Sequence, residues 1–297
     1  LDLLLGDPYW FPHPVRFIGW LITHTEDLLR RIFNCYPDNE TKSRVFREKV
    51  AGVILVIITV EVTFFSVFYL LKYAELLSPI LFHIFNIYFI YSALATRCLG
   101  DESLKVHRIL KNGDLNGARR QLAMLVGRQT DHLNEKEIIR GVVETTAENT
   151  VDGIIWPLIY AVIGSFFALG APLAYVFKAI NTLDSMVGYM NDKYINFGWA
   201  SARLDDAANF IPARISGVII PIAALLCGKS FRKSFYIMLR DHKNHKSPNS
   251  AYPEAAFAGA LGIRLGGSNI YFGKVIVKPT IGDPNKELAL KDIPDAV

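Results

Sequence analysis

The chain is poor in cysteine: its 297 residues include only Cys35, Cys98 and Cys227, far apart and odd in number. Such a set suggests neither a disulfide framework nor a zinc site. A Walker-type phosphate loop and a dinucleotide fingerprint are also missing, so any nucleotide must be held by other means. No signal peptide is recognisable, and Leu3-Leu4-Leu5 reads as the end of a hydrophobic helix. Charge is absent where apolar residues are densest.

Hydrophobic residues make up 51% of the chain against 20% charged, with a mean hydropathy of +0.25, so the apolar residues must be clustered. Four runs hold them. Residues 50–71 carry only Glu61, 76–96 and 154–177 carry no charge, and 207–227 carry only Arg214. Each is long enough to cross a hydrocarbon core of roughly 30 Å, whereas buried helices of soluble proteins seldom show such runs. Lys42, Arg44, Arg47 and Lys49 precede the first run, and Arg97, Lys105, Arg108, Lys111, Arg119, Arg120 and Arg128 follow the second. By the positive-inside rule these two runs form a hairpin with both ends in the cytoplasm. The expectation is an all-α integral membrane protein with four to five transmembrane or re-entrant helices and cytoplasmic helical segments. It forms one polytopic domain over 1–297, with 97–149 and 228–297 cytoplasmic. Membrane lipid is the expected surrounding partner and nucleic acid is not, since the basic residues sit beside apolar spans. A homo-oligomer is compatible with this layout.

Between the runs the chain is more polar. Residues 6–19, with Pro8, Pro12 and Pro14, read as an ordered loop, and 17–33 as an amphipathic helix. Asp114 is placed to cap a helix from Leu115, and 135–148 read as another helix. The tail reads as a basic helical stretch, a loop over 245–253, an Ala-Gly-rich stretch and one strand, 274–279. Pro157, Gly164, Gly170 and Pro172 interrupt the third apolar run, which is therefore expected to bend back or break so that Asp152 and Asp184 face one cytoplasmic cavity.

Carboxylates crowd the ends of the apolar runs. Glu144, Glu148 and Asp152, four apart, line one face of a continuous helix, and need a divalent metal, a Lys/Arg partner or a polar ligand to neutralise them. Asp184, Asp192, Asp205 and Asp206 lie between the third and fourth runs. Arg128, Arg140, Lys178, Arg203 and Arg264 are cations near these motifs, suited to phosphate or, equally for Arg140, to lipid headgroups. Gly259-Ala260-Leu261-Gly262 and Gly266-Gly267 surround Arg264 and would let backbone amides approach phosphate, although glycine pairs are equally common in plain turns. His242 and His245 read as part of a solvated basic loop. Asn149-Thr150-Val151-Asp152 has a near-repeat in Asn181-Thr182-Leu183-Asp184, which chance explains as readily as design.

Several longer motifs resemble one family. Gly6-Asp7-Pro8 with Pro12-His13-Pro14-Val15-Arg16 and Ile18-Gly19, Glu144 through Asp152-Gly153, Lys178-Ala179-Ile180-Asn181-Thr182-Leu183-Asp184-Ser185-Met186-Val187-Gly188-Tyr189, and Phe197-Gly198-Trp199-Ala200-Ser201-Ala202-Arg203-Leu204-Asp205-Asp206 follow in order. Ser247-Pro248-Asn249, Pro253-Glu254-Ala255-Ala256 and Gly259-Ala260-Leu261-Gly262-Ile263-Arg264-Leu265-Gly266-Gly267 complete them. Together they resemble the adenosylcobinamide-phosphate synthases of cobalamin biosynthesis over nearly the whole chain. Gln129 stands where that family usually has aspartate, and Ser250-Ala251 where it usually has Ala-Gly.

The resemblance implies an ATP-dependent amide ligase of the cytoplasmic membrane. Its substrates would be adenosylcobyric acid and aminopropanol phosphate or free aminopropanol, with ATP and Mg2+ as cofactors. It assigns Glu148, Asp152, Asp184, Asp205 and Asp206 to magnesium and ATP positioning, with Glu148, Asp152, Asp184 and Asp205 as metal ligands. Arg16, Arg128, Lys178, Asn181, Arg203, Asn249 and Arg264 would hold phosphates or corrin side chains, and His13 or Glu254 would take the proton from the attacking ammonium. Two other classes compete: a transporter using intramembrane Glu61 and Arg214, and a magnesium-dependent membrane transferase using Asp205-Asp206 on a diphosphate.

Overall fold

The computed structural model describes residues 1–6, 13–35, 42–271 and 273–297, so Asp7, Pro8 and Pro12 of the opening motif lie outside the described residues. In chain order come α1 (Asp2–Leu5), α2 (Pro14–Ile32), α3 (Lys42–Leu77), α4 (Pro79–Ala93), α5 (Thr96–Lys111), α6 (Leu115–Ala123) and α7 (Glu135–Thr150). A π-helical turn, Val151–Ile155, leads to α8 (Trp156–Ser165), α9 (Gly170–Val187), α10 (Trp199–Ala208) and α11 (Phe210–Leu226). The tail holds α12 (Phe231–Asp241), α13 (Ala251–Leu261), strands β1 (Leu265–Tyr271) and β2 (Lys274–Ile281), and α14 (Asp292–Ala296). Helix accounts for 71% of the described residues. The chain divides into two compact units, Leu1–Ala95 with Trp156–Asn209, and Thr96–Ile155 with Phe210–Val297.

Two helices, Lys42–Leu77 and Pro79–Lys111, are long and apolar enough to cross a membrane, or up to three if Trp199–Ala208 with Phe210–Leu226 forms one broken span. This is the make-up of a membrane protein. Apolar side chains such as Ile57, Phe65, Ile80 and Ile84 are exposed on α3 and α4, as lipid-facing positions require. The third apolar run does not form one span. It breaks at 166–169 into α8 and α9, and at 1.5 Å per residue α8 reaches only about 15 Å, half a bilayer core. Trp156 and Tyr160 stack on Phe177 with ring centroids 5.2 and 5.5 Å apart, so α9 folds back along α8. The backbones pass too closely for a side chain at Gly164, whose added Cβ would lie 2.5 Å from the Leu169 carbonyl.

In the first unit α9 is central. Its Ala171, Ala174, Tyr175, Ala179, Leu183 and Val187 pack with Ile18 and Ile22 of α2, Ala51 and Leu55 of α3 and Phe89 of α4. Helix α2 begins at Pro14, inside the loop expected over 6–19. Proline at the first helical position forfeits no intrahelical bond, and His13 caps the end by accepting from the Val15 amide at 3.2 Å.

The second unit is built around α7, buried continuously from Ile138 to Ala147 apart from half-buried Arg140. A capping box of Asn134 and Glu137 starts α7, and Asp114 caps α6 through the Gly117 amide at 2.7 Å. The Ala-Gly-rich stretch is α13, which starts at Ala251, inside the loop expected over 245–253. Its small residues let α12 approach: a Cβ at Gly259 would lie 2.5 Å from the Lys233 carbonyl. The expected strand exists as β2, but it pairs antiparallel with an unforeseen β1, Tyr271 facing Lys274 and Leu265 facing Ile281. The unit is thus not purely helical. Gly266 and Gly267 form a bulge with φ of 81° and 92°, a conformation glycine tolerates best.

Candidate functional site

Helix α7 sets Arg140, Glu144 and Glu148 on successive turns. Glu144 is buried, and its carboxylate meets Arg128 Nη2 at 2.7 Å, Arg140 Nε at 3.7 Å and the Gly266 amide at 2.9 Å. Arginine therefore neutralises the top of the carboxylate stripe. The Gly266 amide that would have approached phosphate instead donates to this carboxylate. Arg128 Nη1 donates to Asn269 Oδ1 at 2.5 Å, and Arg140 Nη2 donates to the same oxygen at 3.3 Å and to the Ser268 carbonyl at 3.0 Å. Arg140 is thus bound into the protein rather than turned toward headgroups. Arg128 Nε, Arg140 Nε and Asn269 Nδ2 are buried and find no acceptor among the described residues, each a cost of about 1–3 kcal/mol if nothing else meets it.

Beside this cluster α13 places Glu254 in its first turn, fully buried. Burial first, then Glu144 and Glu148, hold its pKa well above the usual carboxylate range, against the pull of Lys278 and Arg128. Lys278 comes from β2, where Val275 and Val277 point outward and Ile276 and Lys278 lie on the other face. Burial lowers its pKa, but Glu254, Tyr271, Glu144 and Glu148 together raise it, so it stays charged. Its Nζ lies 3.2 Å from His245 Nε2. Burial, reinforced by Lys278, pushes His245 down to about 4, and its Nδ1 accepts from the Ser247 amide at 3.0 Å. His245 is thus a neutral, half-buried member of the cluster, not part of a solvated loop.

The remaining assigned residues divide between the units. In the second, Glu148 is exposed and accepts from Ser250 Oγ at 3.3 Å. Asp152 sits half-buried on the π turn, which interrupts the continuous helical face expected for the stripe. Asn249 is buried, 3.5 Å from Arg214 Nη1, whose guanidinium also covers the Tyr252 ring at 4.9 Å. Arg264 is exposed. The Gln129 side chain accepts from the Gly273 amide at 3.3 Å, tying it to the hairpin turn.

In the first unit α9 carries Lys178, Asn181 and Asp184, all half-buried, and α10 carries Asp205 and Asp206, with Arg203 exposed. Asp205 accepts from Asn209 at 2.8 Å. Arg16 is exposed on the first turn of α2. The His13 pKa is lowered by burial and by Lys178 and Arg16, a backbone hydrogen bond to Ser92 opposing them.

Among the described residues no three His, Cys, Asp or Glu side chains stand close enough to hold a metal ion. Sequence reasoning missed Asn269, Lys278 and the role of His245. The one available signal was a lysine on the inward parity of an otherwise β-branched strand.

The chain matches the CobD/Cbib protein family over residues 1–297. It is 49% identical to the cobalamin biosynthesis protein CobD of Clostridium tetani over 297 residues, 100% of this chain and 89% of the relative. It is 51% identical over 288 residues to the protein of the same name from Geobacter metallireducens, covering 97% of this chain and 85% of the relative. The Listeria monocytogenes serotype 4b protein of that name is 46% identical over 297 residues, covering 100% and 90%. No solved structure matches the chain.

Proposed function

Because the chain belongs to the CobD/CbiB family of cobalamin biosynthesis, we propose that it is the ATP-dependent ligase that joins adenosylcobyric acid to aminopropanol phosphate, or to free aminopropanol, through an amide bond. The full-length family match carries this reading. The spans of the first unit and the basic residues flanking them favour a multi-pass protein of the inner membrane with its chemistry on the cytoplasmic side, where ATP is available.

The chemistry follows from the bond to be made. A carboxylate does not acylate an amine unaided, so the γ-phosphoryl group of ATP passes to the corrin carboxylate, giving an acyl phosphate and ADP. The amine then attacks the acyl carbon, and inorganic phosphate leaves. Phosphoryl transfer depends on positioning and charge stabilisation, roles that fall to Arg128, Lys178, Arg203 and Arg264, with Arg16, Asn181 and Asn249 as further contacts. Magnesium takes one or two carboxylates with waters and phosphate oxygens rather than a protein cage. That demand suits Glu148 with Asp152, four positions apart, and Asp184 and Asp205 with neighbouring Asp206. Bound there, the ion would neutralise charge on the phosphates.

The attacking amine arrives as an ammonium and must lose a proton. Of the two candidate acceptors we favour Glu254, since His13 is engaged at Val15 and Ser92. Burial and the neighbouring carboxylates raise the Glu254 pKa, which makes it a better proton acceptor than an ordinary carboxylate, and an ammonium beside it favours the ionised form that accepts. The test is detergent-purified protein supplied with adenosylcobyric acid, ATP and each amine in turn. ADP release that requires both organic substrates supports the ligase. Pyrophosphate release instead, or no substrate-dependent turnover, overturns it.

A further inference from the structure

The group formed by Arg128, Arg140 and Asn269 has donors with no acceptor, and its geometry leaves no freedom to remove them. Guanidinium nitrogens only donate, so Asn269 must present Oδ1, not Nδ2, to Arg128 and Arg140. A flip of the amide would set donor against donor. Nδ2 is therefore turned away from both arginines in a residue only 2% exposed, and it finds no acceptor among the described residues. Arg128 Nε and Arg140 Nε are in the same condition, although Arg140 Nε lies 3.7 Å from Glu144. Both guanidinium groups face the Glu144 carboxylate. Gly267, half-buried and without a side chain, lies over Arg140: a Cβ there would stand 3.1 Å from Nη1.

We infer that Arg128, Arg140 and Asn269 form a receptor for an oxyanion, the terminal oxygens of a phosphoryl or carboxylate group, with Asn269 Nδ2 and the two Nε atoms as donors. Charged donors with unmet capacity in a poorly solvated site bind an anion more strongly than they bind water. Arg128 is already a phosphate or corrin contact of the proposed ligase, and to that extent the inference rests on that reading. It adds Arg140 and Asn269 and makes Asn269 the arbiter between anion and cation.

The test measures binding without turnover, so its failure is separate from failure of the ligase reaction. The full chain in detergent is titrated with inorganic phosphate, pyrophosphate and acetate against chloride at matched ionic strength, following the melting temperature. A saturable rise is expected for the wild type. Asn269→Asp keeps the oxygen that both arginines use and so keeps the fold, but replaces the Nδ2 donor by an acceptor. It should weaken anion binding at least ~10-fold, the scale of losing one charge-assisted contact. Arg140→Gln, on a less buried side chain, should do the same. A rise with phosphate or pyrophosphate alone identifies a phosphoryl group, and one with acetate alone a carboxylate. No saturable rise with any of the three, or Asn269→Asp and Arg140→Gln binding as wild type does, overturns the receptor.

Discussion

Arg128 Nη2 stands 2.7 Å from Glu144 Oε2, with side chains 4% and 9% exposed, joining the segment before α7 to the centre of that helix. Removing one partner of a buried pair leaves the other charge uncompensated, at about 3–5 kcal/mol. Glu144→Gln should therefore destabilise the second unit on that scale, read from chemical denaturation in mild detergent. Wild-type stability in Glu144→Gln would contradict a stabilising role for this pair.

His245 supplies a pH dependence. Its folded pKa, about 4, lies below the unfolded value of ~6.5, so the unfolded state binds the extra proton first as pH falls. The stability linked to neutral His245 is fully present above ~6.5 and is lost as pH drops toward 4. Lys278→Met removes the cation beside the ring and should raise the His245 pKa, followed by the imidazole proton resonances. A pKa unchanged or lowered by this substitution would show that Lys278 does not act on the ring.

Glu254→Gln mimics the protonated acid. Wild-type Glu254 has a raised pKa, so its contribution to stability is full below ~4.5 and declines as pH rises toward the folded value. The variant should be at least as stable as wild type near neutrality, with an advantage that grows with pH, while amide formation is lost. Retained turnover in Glu254→Gln would remove this residue from proton transfer.

Asp184→Asn and Asp205→Asn should each lower turnover at least ~100-fold, the scale of one lost electrostatic stabiliser, with little change in melting temperature. Substrate-dependent ADP release measured beside thermal unfolding separates the two effects. Full turnover in either variant would exclude that aspartate.

The long apolar helices, α6 with its Asp114 cap, α7 and the break in the third apolar run were legible because each has a local signature: periodicity, a capping side chain, and Pro157, Gly164, Gly170 and Pro172 inside an apolar stretch. The stripe of Glu144, Glu148 and Asp152 was visible as unneutralised charge, but its partner was not. Arg128 is sixteen positions before Glu144 in sequence, and only tertiary packing brings them together. Strand β1 was hidden because Gly266-Gly267 reads as a turn and has little β propensity. With β1 unseen, Asn269 had no reason to be noticed and Gly266 no reason to face a carboxylate. His245 looked solvated because its neighbours Lys243 and Lys246 are charged. Its burial comes from contacts with β2, distant in the chain.

The central claim is activation of a corrin carboxylate by ATP, and the fate of the carboxylate oxygens tests it most directly. Adenosylcobyric acid labelled with heavy oxygen in the reacting carboxylate is turned over with ATP and the amine, and the inorganic phosphate is analysed by mass spectrometry. An acyl phosphate intermediate puts one labelled oxygen into each phosphate released. Unlabelled phosphate, or label recovered in AMP, would contradict the account.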